Sequence, residues 1–121
     1  MSDFYVISLK HTRRDHRYIT FWRPDDAGYS YPLSWSGKYS ESAVMADLGY
    51  YNSGHSTIAV PCSVVDQLGE APERGQIDND AGPVVRNIVE HWDVLLANVI
   101  QPPFRIPQPQ YKGAPKYKEA A

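Results

Sequence analysis

Four histidines and a single cysteine are the side chains of this sequence most suited to metal binding or catalysis. His11 and His16 lie five positions apart in one polar segment, and Asp15 could supply a third metal ligand. No CxxC or HExxH pattern accompanies them, so the spacing favours histidines in a solvated loop over a metal site. The sequence therefore predicts no metal centre and no cofactor.

Cys62 could act as a nucleophile with His55 as its base, because nothing in the sequence keeps them apart. His55 also opens an H-x-T-hydrophobic element, His55-Ser56-Thr57-Ile58, found in phosphoesterases that use two such motifs. Those enzymes bring two imidazoles to one phosphate, and no second H-x-[ST] element is present in this sequence. Cys62 has apolar neighbours, which is typical of a small buried side chain. We therefore predict no catalytic residue and keep a small hydrolase as the third hypothesis.

The acidic motifs also lack the partners that chemistry would need. Asp25-Asp26 lies in the turn sequence of residues 24–28, which explains both carboxylates without a site. Asp78-Asn79-Asp80 resembles the start of a calcium loop but lacks the remaining ligands at their spacing. Both stretches are interpreted as solvated loops.

Composition and charge limit the classes of protein to which this chain can belong. The 121 residues fit one domain, and a net charge of −2 argues against general polyanion binding, which needs a clear cationic excess. The charge is uneven, because residues 10–23 are basic and residues 70–80 are mostly acidic. Cys62 is alone, so a reducing compartment is the simpler interpretation. Without an apolar run near the ~20 residues that span a bilayer, we expect a cytoplasmic protein with no membrane contact.

Alternating side chains predict four strands, over residues 4–10, 17–23, 29–35 and 57–60. A turn joins the second and third strands, and we place Arg23 opposite Tyr29 in that hairpin. This register collects a set of apolar residues on one buried face: Ile7, Leu9, Ile19, Phe21, Tyr31 and Leu33. The buried face fixes the pairing, and we predict an antiparallel meander.

Helices are predicted in three places. Short helices follow Ser40, with Gly49 as the stop, and Pro61, with Gly69 as the stop. The strongest pattern begins at Pro83 and forms one apolar stripe: Val85, Ile88, Val89, Trp92, Leu95, Leu96 and Val99. We therefore expect a long C-terminal amphipathic helix.

Two further stretches are predicted to be irregular. The polar loop of residues 70–82 is long enough to suggest mobility or a binding role. Residues 102–121 are rich in proline and predict an extended tail. The chain is therefore expected to form one α+β domain over residues 1–101, with the long helix and two short helices on one face of the sheet.

The opposite face of the sheet is the predicted partner-binding site. The alternation that buries Phe21 turns two aromatic side chains outward beside a basic segment, which gives the candidates Arg13, Arg14, Arg17, Tyr18 and Trp22. Tyr and Trp beside Arg are typical of interface centres. The same residues could stack nucleic-acid bases and bind phosphates. Alternatively, the C-terminal tail or a second copy of the chain in a homodimer covers this face.

Several segments, spread over most of the chain, carry a resemblance to known sequences. They are Ser8-Leu9-Lys10-His11-Thr12, Tyr18-Ile19-Thr20-Phe21-Trp22-Arg23-Pro24-Asp25 with Gly28-Tyr29, Gly49-Tyr50-Tyr51-Asn52-Ser53-Gly54, Ile58-Ala59-Val60-Pro61 and Tyr111-Lys112-Gly113-Ala114-Pro115. Together they resemble a family of small uncharacterised proteins from bacteriophages and prophages. The resemblance implies a phage-type accessory protein, and such proteins often bind a host factor, including defence systems. It brings no established site residues.

Three hypotheses of function follow. The first is a non-enzymatic protein that binds a host protein in the host cytoplasm through the outer sheet face. The second is a single-stranded nucleic-acid or nucleotide binder, and the third is a small hydrolase. The first two require exposed Tyr18 and Trp22, whereas the third requires His55 and Cys62 to converge.

Overall fold

The computed structural model describes residues 3–75 and 82–116. Within these ranges an antiparallel five-stranded sheet is combined with short helices, so the chain is an α+β protein. The strands are β1 (Asp3–Ser8), β2 (Phe21–Trp22), β3 (Tyr29–Ser30), β4 (Tyr39–Ser40) and β5 (Thr57–Pro61). The α-helices are α1 (Glu41–Ala46), α2 (Leu48–Tyr51), α3 (Cys62–Asp66) and α4 (Val89–Ala97), with 3-10 helices at Pro24–Asp26 and Leu33–Trp35.

β1 is the central strand of the sheet. β5 pairs with one edge of β1 over five residue pairs. β2 and β4 share the other edge, β2 at Ile7 and β4 at Asp3 and Phe4, and β3 pairs with β2. The predicted antiparallel pairing is confirmed, and β1, β2 and β3 are neighbours in the order of a meander. The predicted fourth strand, β5, departs from the meander because it pairs with β1 and not with β3. β1 is an almost continuous apolar run that is buried on both faces, and such a strand is most stable at the centre of a sheet.

Alternate side chains of β1 enter two separate apolar clusters, one on each face of the sheet. The inner core contains Tyr5, Ile7, Leu9, Ile19, Phe21, Leu33, Ile58, Val60, Cys62, Val65, Val85, Trp92 and Leu95. The outer core contains Phe4, Val6, Trp22, Tyr39, Val44 and Ala59. Five of the six residues predicted on the buried face are therefore in the inner core. The sixth, Tyr31, is half-buried and packs edge-on against Tyr18.

Helices cover both faces of the sheet. Val65 of α3 and Trp92 and Leu95 of α4 belong to the inner core. Val44 of α1 belongs to the outer core, and Leu48 of α2 packs against it. The prediction that all helices cover one face is wrong, because the outer face is apolar as well and must also be shielded from water.

The hairpin of β2 and β3 is shorter than predicted and shifted by one residue. Trp22 pairs with Tyr29, and Phe21 pairs with Ser30, whereas the predicted register placed Arg23 opposite Tyr29. Each strand contributes only two residues to this pairing.

The turn sequence accounts for the shift. Asp25 and Asp26 adopt φ angles of 58° and 57°, which aspartate tolerates better than most residues, and the resulting 3-10 turn sets a new register. Beyond β3 the chain leaves the sheet and enters the second 3-10 helix. Leu33 still reaches the inner core from this helix, where its amide donates to the carbonyl of Pro83 at 2.8 Å.

α4 is nine residues long, so the prediction of a long helix from Pro83 onward is wrong. The residues before α4 form antiparallel bridges instead. The amide of Ile19 donates to the carbonyl of Val85 at 2.9 Å, and the amide of Asn87 donates to the carbonyl of Arg17 at 2.9 Å. These long-range bonds satisfy an extended backbone that β-branched residues favour, so pairing prevails over the helical period.

The two short helices are close to their predicted positions. The hydroxyl of Ser40 accepts a bond from the amide of Ala43 at 3.1 Å and caps α1, as predicted. Gly49 lies inside α2 and does not stop the helix. α3 begins directly after Pro61 and ends three residues before Gly69.

The chain after α4 has no regular secondary structure up to residue 116, yet it packs on the domain. The amide of Arg105 donates to the carbonyl of Ser53 at 3.0 Å. Next to it, a Cβ on Gly54 would lie 1.8 Å from the carbonyl oxygen of Arg105, so this close approach requires glycine. Residues 76–81 of the predicted loop and 117–121 of the predicted tail lie outside the described residues.

Candidate functional site

Tyr18 and Trp22, the aromatic residues predicted to contact a partner, are both buried. Their exposed fractions are 4% and 9%. Trp22 belongs to the outer core, and the hydroxyl oxygen of Tyr18 accepts a bond from the amide of Glu73 at 2.8 Å. The prediction that they face solvent is wrong. α1 and α2 cover the outer face around Trp22, whereas Tyr18 packs edge-on against Tyr31 and is covered by the segment that carries Glu73. A partner can therefore reach Trp22 only through the residues around it.

Tyrosine rings surround Trp22 in edge-to-face contact. The Trp22 centroid lies 5.0 Å from the ring of Tyr50, 5.8 Å from Tyr51 and 6.4 Å from Tyr29. Pairs of this kind contribute about 0.5–1.5 kcal/mol each beyond the area they bury. The Nε1–H of Trp22 has no hydrogen-bond acceptor among the described residues, so this side chain stabilises the cluster through ring packing.

The rings that cover Trp22 are themselves half exposed. Tyr29 is 45% exposed and Tyr50 is 48% exposed. Beside Tyr29, the guanidinium carbon of Arg23 lies 5.3 Å from the centroid of the exposed Trp35 ring, and Arg23 Nε donates to the carbonyl of Tyr29 at 3.1 Å. We call Arg23, Tyr29, Trp35 and Tyr50 the aromatic surface.

A cleft of about 730 Å³ lies elsewhere on the molecule, outside the aromatic surface. It is lined by residues 14–18, Glu70, Glu73, residues 86–88, Lys112 and Gly113. These residues come from four stretches that are distant in the sequence, and most of them are charged. We call this feature the charged cleft.

Two ion pairs lie in the charged cleft. Arg17 Nη1 is 2.6 Å from Glu73 Oε2, and Arg86 Nε is 2.7 Å from Glu70 Oε1. Both arginine side chains are 49% exposed, so water and salt screen these pairs, and each contributes about 0–1 kcal/mol. The pairs therefore orient charges in the cleft more than they stabilise the fold.

Arg14 attaches the C-terminal stretch to the cleft. Its Nη1 donates to the carbonyl of Ala114 at 2.6 Å, and its Nη2 donates to Gln110 Oε1 at 3.1 Å and to the carbonyl of Pro115 at 3.2 Å. All three acceptors are neutral. Three arginines were predicted to bind a partner. Arg14 and Arg17 line the charged cleft, whereas Arg13 is exposed and outside its lining.

Asn87 connects the walls of the charged cleft and is only 5% exposed. The two N–H donors of its Nδ2 are shared among three carbonyl oxygens, those of Arg13 at 3.2 Å, His16 at 3.0 Å and Gln110 at 2.9 Å. Its Oδ1 accepts a bond from Trp92 Nε1 at 2.7 Å. One buried amide thus joins a basic loop, the C-terminal stretch and α4, and such saturated buried groups hold a single arrangement.

His55 and Cys62 lie on opposite ends of β5 and do not converge. A strand rises ~3.3 Å per residue, so the four rises from Thr57 to Pro61 separate the two ends of β5 by roughly 13 Å. Cys62 is buried, and burial followed by the charge of Asp66 raises the pKa of its thiol to about 12. A thiol that stays protonated at neutral pH is a poor nucleophile, so the geometry provides no catalytic pair here.

His11 and His16 make other contacts. The ring of His11 lies 4.0 Å from that of Tyr29, and burial followed by the charges of Lys10 and Arg13 lowers the pKa of its imidazole. His16 Nδ1 accepts a bond from the amide of Arg13 at 3.1 Å. In the part of the chain that the structure describes, no group of three His, Cys, Asp or Glu residues is placed to hold a metal ion.

Comparisons of this chain with protein-family models, with curated proteins and with solved structures found no match. No helix within residues 3–75 and 82–116 is both long and apolar enough to cross a membrane. The aromatic surface and the charged cleft are therefore the features that bear on function.

The sequence did not indicate four charged residues of the charged cleft, Glu70, Glu73, Arg86 and Lys112, nor Asn87, which connects its walls. No local spacing connects them with the basic loop, because the contacts join parts of the chain that are far apart. One signal could have found them. The basic stretch of residues 10–23 and the acidic stretch that begins at Glu70 are complementary in charge, and the structure brings them together.

Proposed function

We propose that this chain is a non-enzymatic protein that binds another protein through the aromatic surface. The observation that carries the proposal is the pair of half-exposed rings, Tyr29 and Tyr50, that rest on the buried ring of Trp22. Rings supported in this way keep their orientation, so binding does not have to order them first. Aromatic residues with arginine beside them are enriched at the centres of protein interfaces.

The proposed docking surface differs from the predicted one. α1 and α2 cover the outer sheet face, so the residues that surround Trp22 contact the partner in place of Tyr18 and Trp22 themselves. Arg23 lies over Trp35 and places a cation within this surface, which suits a partner with both apolar and acidic groups.

A host protein in the host cytoplasm is the proposed partner. This step is supported by the resemblance of the sequence to bacteriophage and prophage accessory proteins, some of which act on host defence systems. The proposal that this is a phage-type accessory protein has the same support and no other.

A single-stranded nucleic-acid binder has less support from the geometry. Base stacking needs exposed rings close to free cations, but Tyr18 and Trp22 are buried. Arg14 is bonded to the C-terminal stretch, and Arg17 is paired with Glu73. The second hypothesis therefore lacks the exposed aromatic rings beside the arginines on which it was based.

The test compares the native chain with Tyr29→Ser, Tyr50→Ser and Val94→Ser as bait in a bacterial lysate. Val94 is 38% exposed on α4, which covers the other face of the sheet, so Val94→Ser is a matched control. We expect the native chain and the control to capture the same protein. Both tyrosine variants should capture it at least about tenfold less, as truncation of an interface hot spot does.

Thermal unfolding of all four proteins comes first, since only variants that remain folded are informative. Equal capture by the native chain and the tyrosine variants would show that the aromatic surface is not the docking site. A native dimer that Tyr50→Ser dissociates, measured by size-exclusion chromatography with light scattering, would instead make this surface a contact between two copies.

A further inference from the structure

We propose that the charged cleft binds a small organic ligand through an oxyanion, a phosphate ester or a carboxylate, which Arg17 and Arg86 hold. The cleft shares no residue with the aromatic surface, so this proposal does not rest on the proposed function. Three separate stretches of the chain bring cationic side chains to a cavity of small-molecule size.

The size and lining of the cleft suit such a ligand. Its volume of about 730 Å³ lies within the range of roughly 300–1,000 Å³ that is typical of small-molecule sites. Ile88 and the ring of Tyr18 provide apolar wall, and the surrounding charged groups provide specificity. A ligand with a compact carbon skeleton and an anionic end would match the apolar wall and the charged groups of this lining.

The charge of the cleft has the opposite sign to that of the chain. Its described lining contains four Lys and Arg side chains against three Asp and Glu, whereas the whole chain has 12 Lys and Arg against 14 Asp and Glu. Arg14 contributes a charge whose hydrogen-bond partners among the described residues are all neutral. Lys112 adds another from the C-terminal stretch. The cleft is therefore a local excess of positive charge on an acidic protein.

Arg17 and Arg86 retain donors for a ligand. The closest contact of each ion pair uses one guanidinium nitrogen, Nη1 of Arg17 and Nε of Arg86. A guanidinium carries five N–H donors in a planar fork that matches both carboxylate and phosphate. The two arginines also come from neighbouring backbone segments, because the amide of Asn87 bonds the carbonyl of Arg17 at 2.9 Å.

Glu70 and Glu73 show which kind of group the cleft arginines bind. Each offers a carboxylate to one guanidinium at 2.7 Å and 2.6 Å, respectively. Exposed ion pairs of this kind are weak, so an oxyanion of a ligand can replace or join the glutamate. It follows that the glutamates compete with the ligand, and that removal of their charge strengthens binding.

The test is a titration of the ¹⁵N-labelled full chain at constant ionic strength, followed by backbone amide shifts. The probes are glycerol 3-phosphate, glutarate and inorganic phosphate, with uncharged glycerol as the control. We expect saturable shifts at residues 14–18 and 86–88 for the anions and none for glycerol. The tighter of the phosphate-ester and carboxylate arms identifies the source of the oxyanion.

Charge-neutral variants separate a binding site from general electrostatics. We expect Arg17→Gln and Arg86→Gln each to raise the dissociation constant about tenfold, and Glu73→Gln to lower it severalfold. Arg105→Gln is the matched control, because Arg105 is exposed and outside the cleft lining, and it should change nothing. Shifts that do not saturate, or that survive both arginine substitutions, would overturn the proposal. Weaker binding by Glu73→Gln would also contradict it, since the glutamate is then not a competitor.

Discussion

The aromatic surface and the charged cleft are each supported by one buried side chain, but these two side chains act through different forces. Trp22 supports the aromatic surface by ring packing, and its indole N–H has no hydrogen-bond acceptor among the described residues. Asn87 supports the charged cleft by four hydrogen bonds. Ring packing gives a rigid surface without directional hydrogen bonds, which suits a protein partner. A saturated amide fixes the positions of separate loops, which suits a small ligand.

The two regions also depend differently on the chain around them. The residues of the aromatic surface lie in β3, the second 3-10 helix and α2 or directly follow β2, and these elements belong to the sheet and its cover. The charged cleft is built from irregular stretches, and side-chain bonds to Asn87 and Arg14 hold them together. We therefore expect damage at Trp22 to spread to the whole domain and damage at Asn87 or Arg14 to stay local.

The largest expected effect is that of Trp22→Ala. Loss of a buried indole from the outer core should cost about 3–5 kcal/mol of the free energy of unfolding. Urea denaturation followed by circular dichroism measures this cost, with Trp22→Phe as the milder control. A cost below about 1 kcal/mol would contradict the account, because Trp22 would then not support the outer core.

Asn87→Ala should be the next most damaging change, at about 1–3 kcal/mol, because it leaves the Trp92 Nε1–H buried without an acceptor. We expect amide hydrogen exchange to accelerate at Ala114, whose amide bonds the carbonyl of Tyr111, while α2 stays protected. Equal loss of protection in α2 would mean that the two regions are not independent. Asn87→Asp is the matched control, since it keeps an acceptor for Trp92 and removes the amide donors.

A smaller effect is expected for Arg14→Gln, about 1 kcal/mol or less, since its bonds are partly exposed. The expected result is faster tryptic cleavage after Lys112, because the C-terminal stretch loses its attachment. Arg13→Gln is the neighbouring control and should leave the cleavage rate unchanged. Equal acceleration by both variants would show that the stretch responds to charge in general and not to the bonds of Arg14.

The smallest expected effect concerns Cys62, whose reactivity reports whether the inner core is intact. Burial raises the pKa of its thiol to about 12 from an ordinary 9.0, so the native chain holds its proton at pH values where the unfolded chain loses it. Cys62 should therefore resist iodoacetamide at pH 8, and its contribution to stability should decline as pH rises from about 9 towards 12. Mass spectrometry of the native chain, with the urea-unfolded chain as the control, measures the protection. Rapid native labelling would contradict it.

Much of the sheet could be predicted from the sequence because strand alternation is a local signal. The period of two correctly placed Ile7 and Phe21 on one face. The prediction that the other face is exposed was wrong. Alternation indicates which side chains share a face, but it does not indicate what covers that face. The run Phe4-Tyr5-Val6-Ile7 contained that information, since a strand that is apolar at every position is buried on both faces.

The charged cleft and the start of α4 could not be predicted, because both depend on contacts between distant parts of the chain. Arg14 bonds the carbonyl of Ala114, 100 positions away, and no spacing rule connects them. Val85 fits a helical stripe and an extended bridge equally well, and only its bond with Ile19 decides between the two. The aromatic surface also joins residues that are far apart in the sequence, and its partner-binding role stays a prediction.

The most direct test of the central claim is site-specific photo-crosslinking to a partner in bacterial lysate. A photoreactive phenylalanine replaces Tyr50 on the aromatic surface in one protein and Val94 on α4 in another. We expect one discrete crosslinked protein from position 50, which excess native chain competes away, and none from position 94. The same crosslinked protein from position 94 in equal amount, or no competed product from position 50, would contradict the claim.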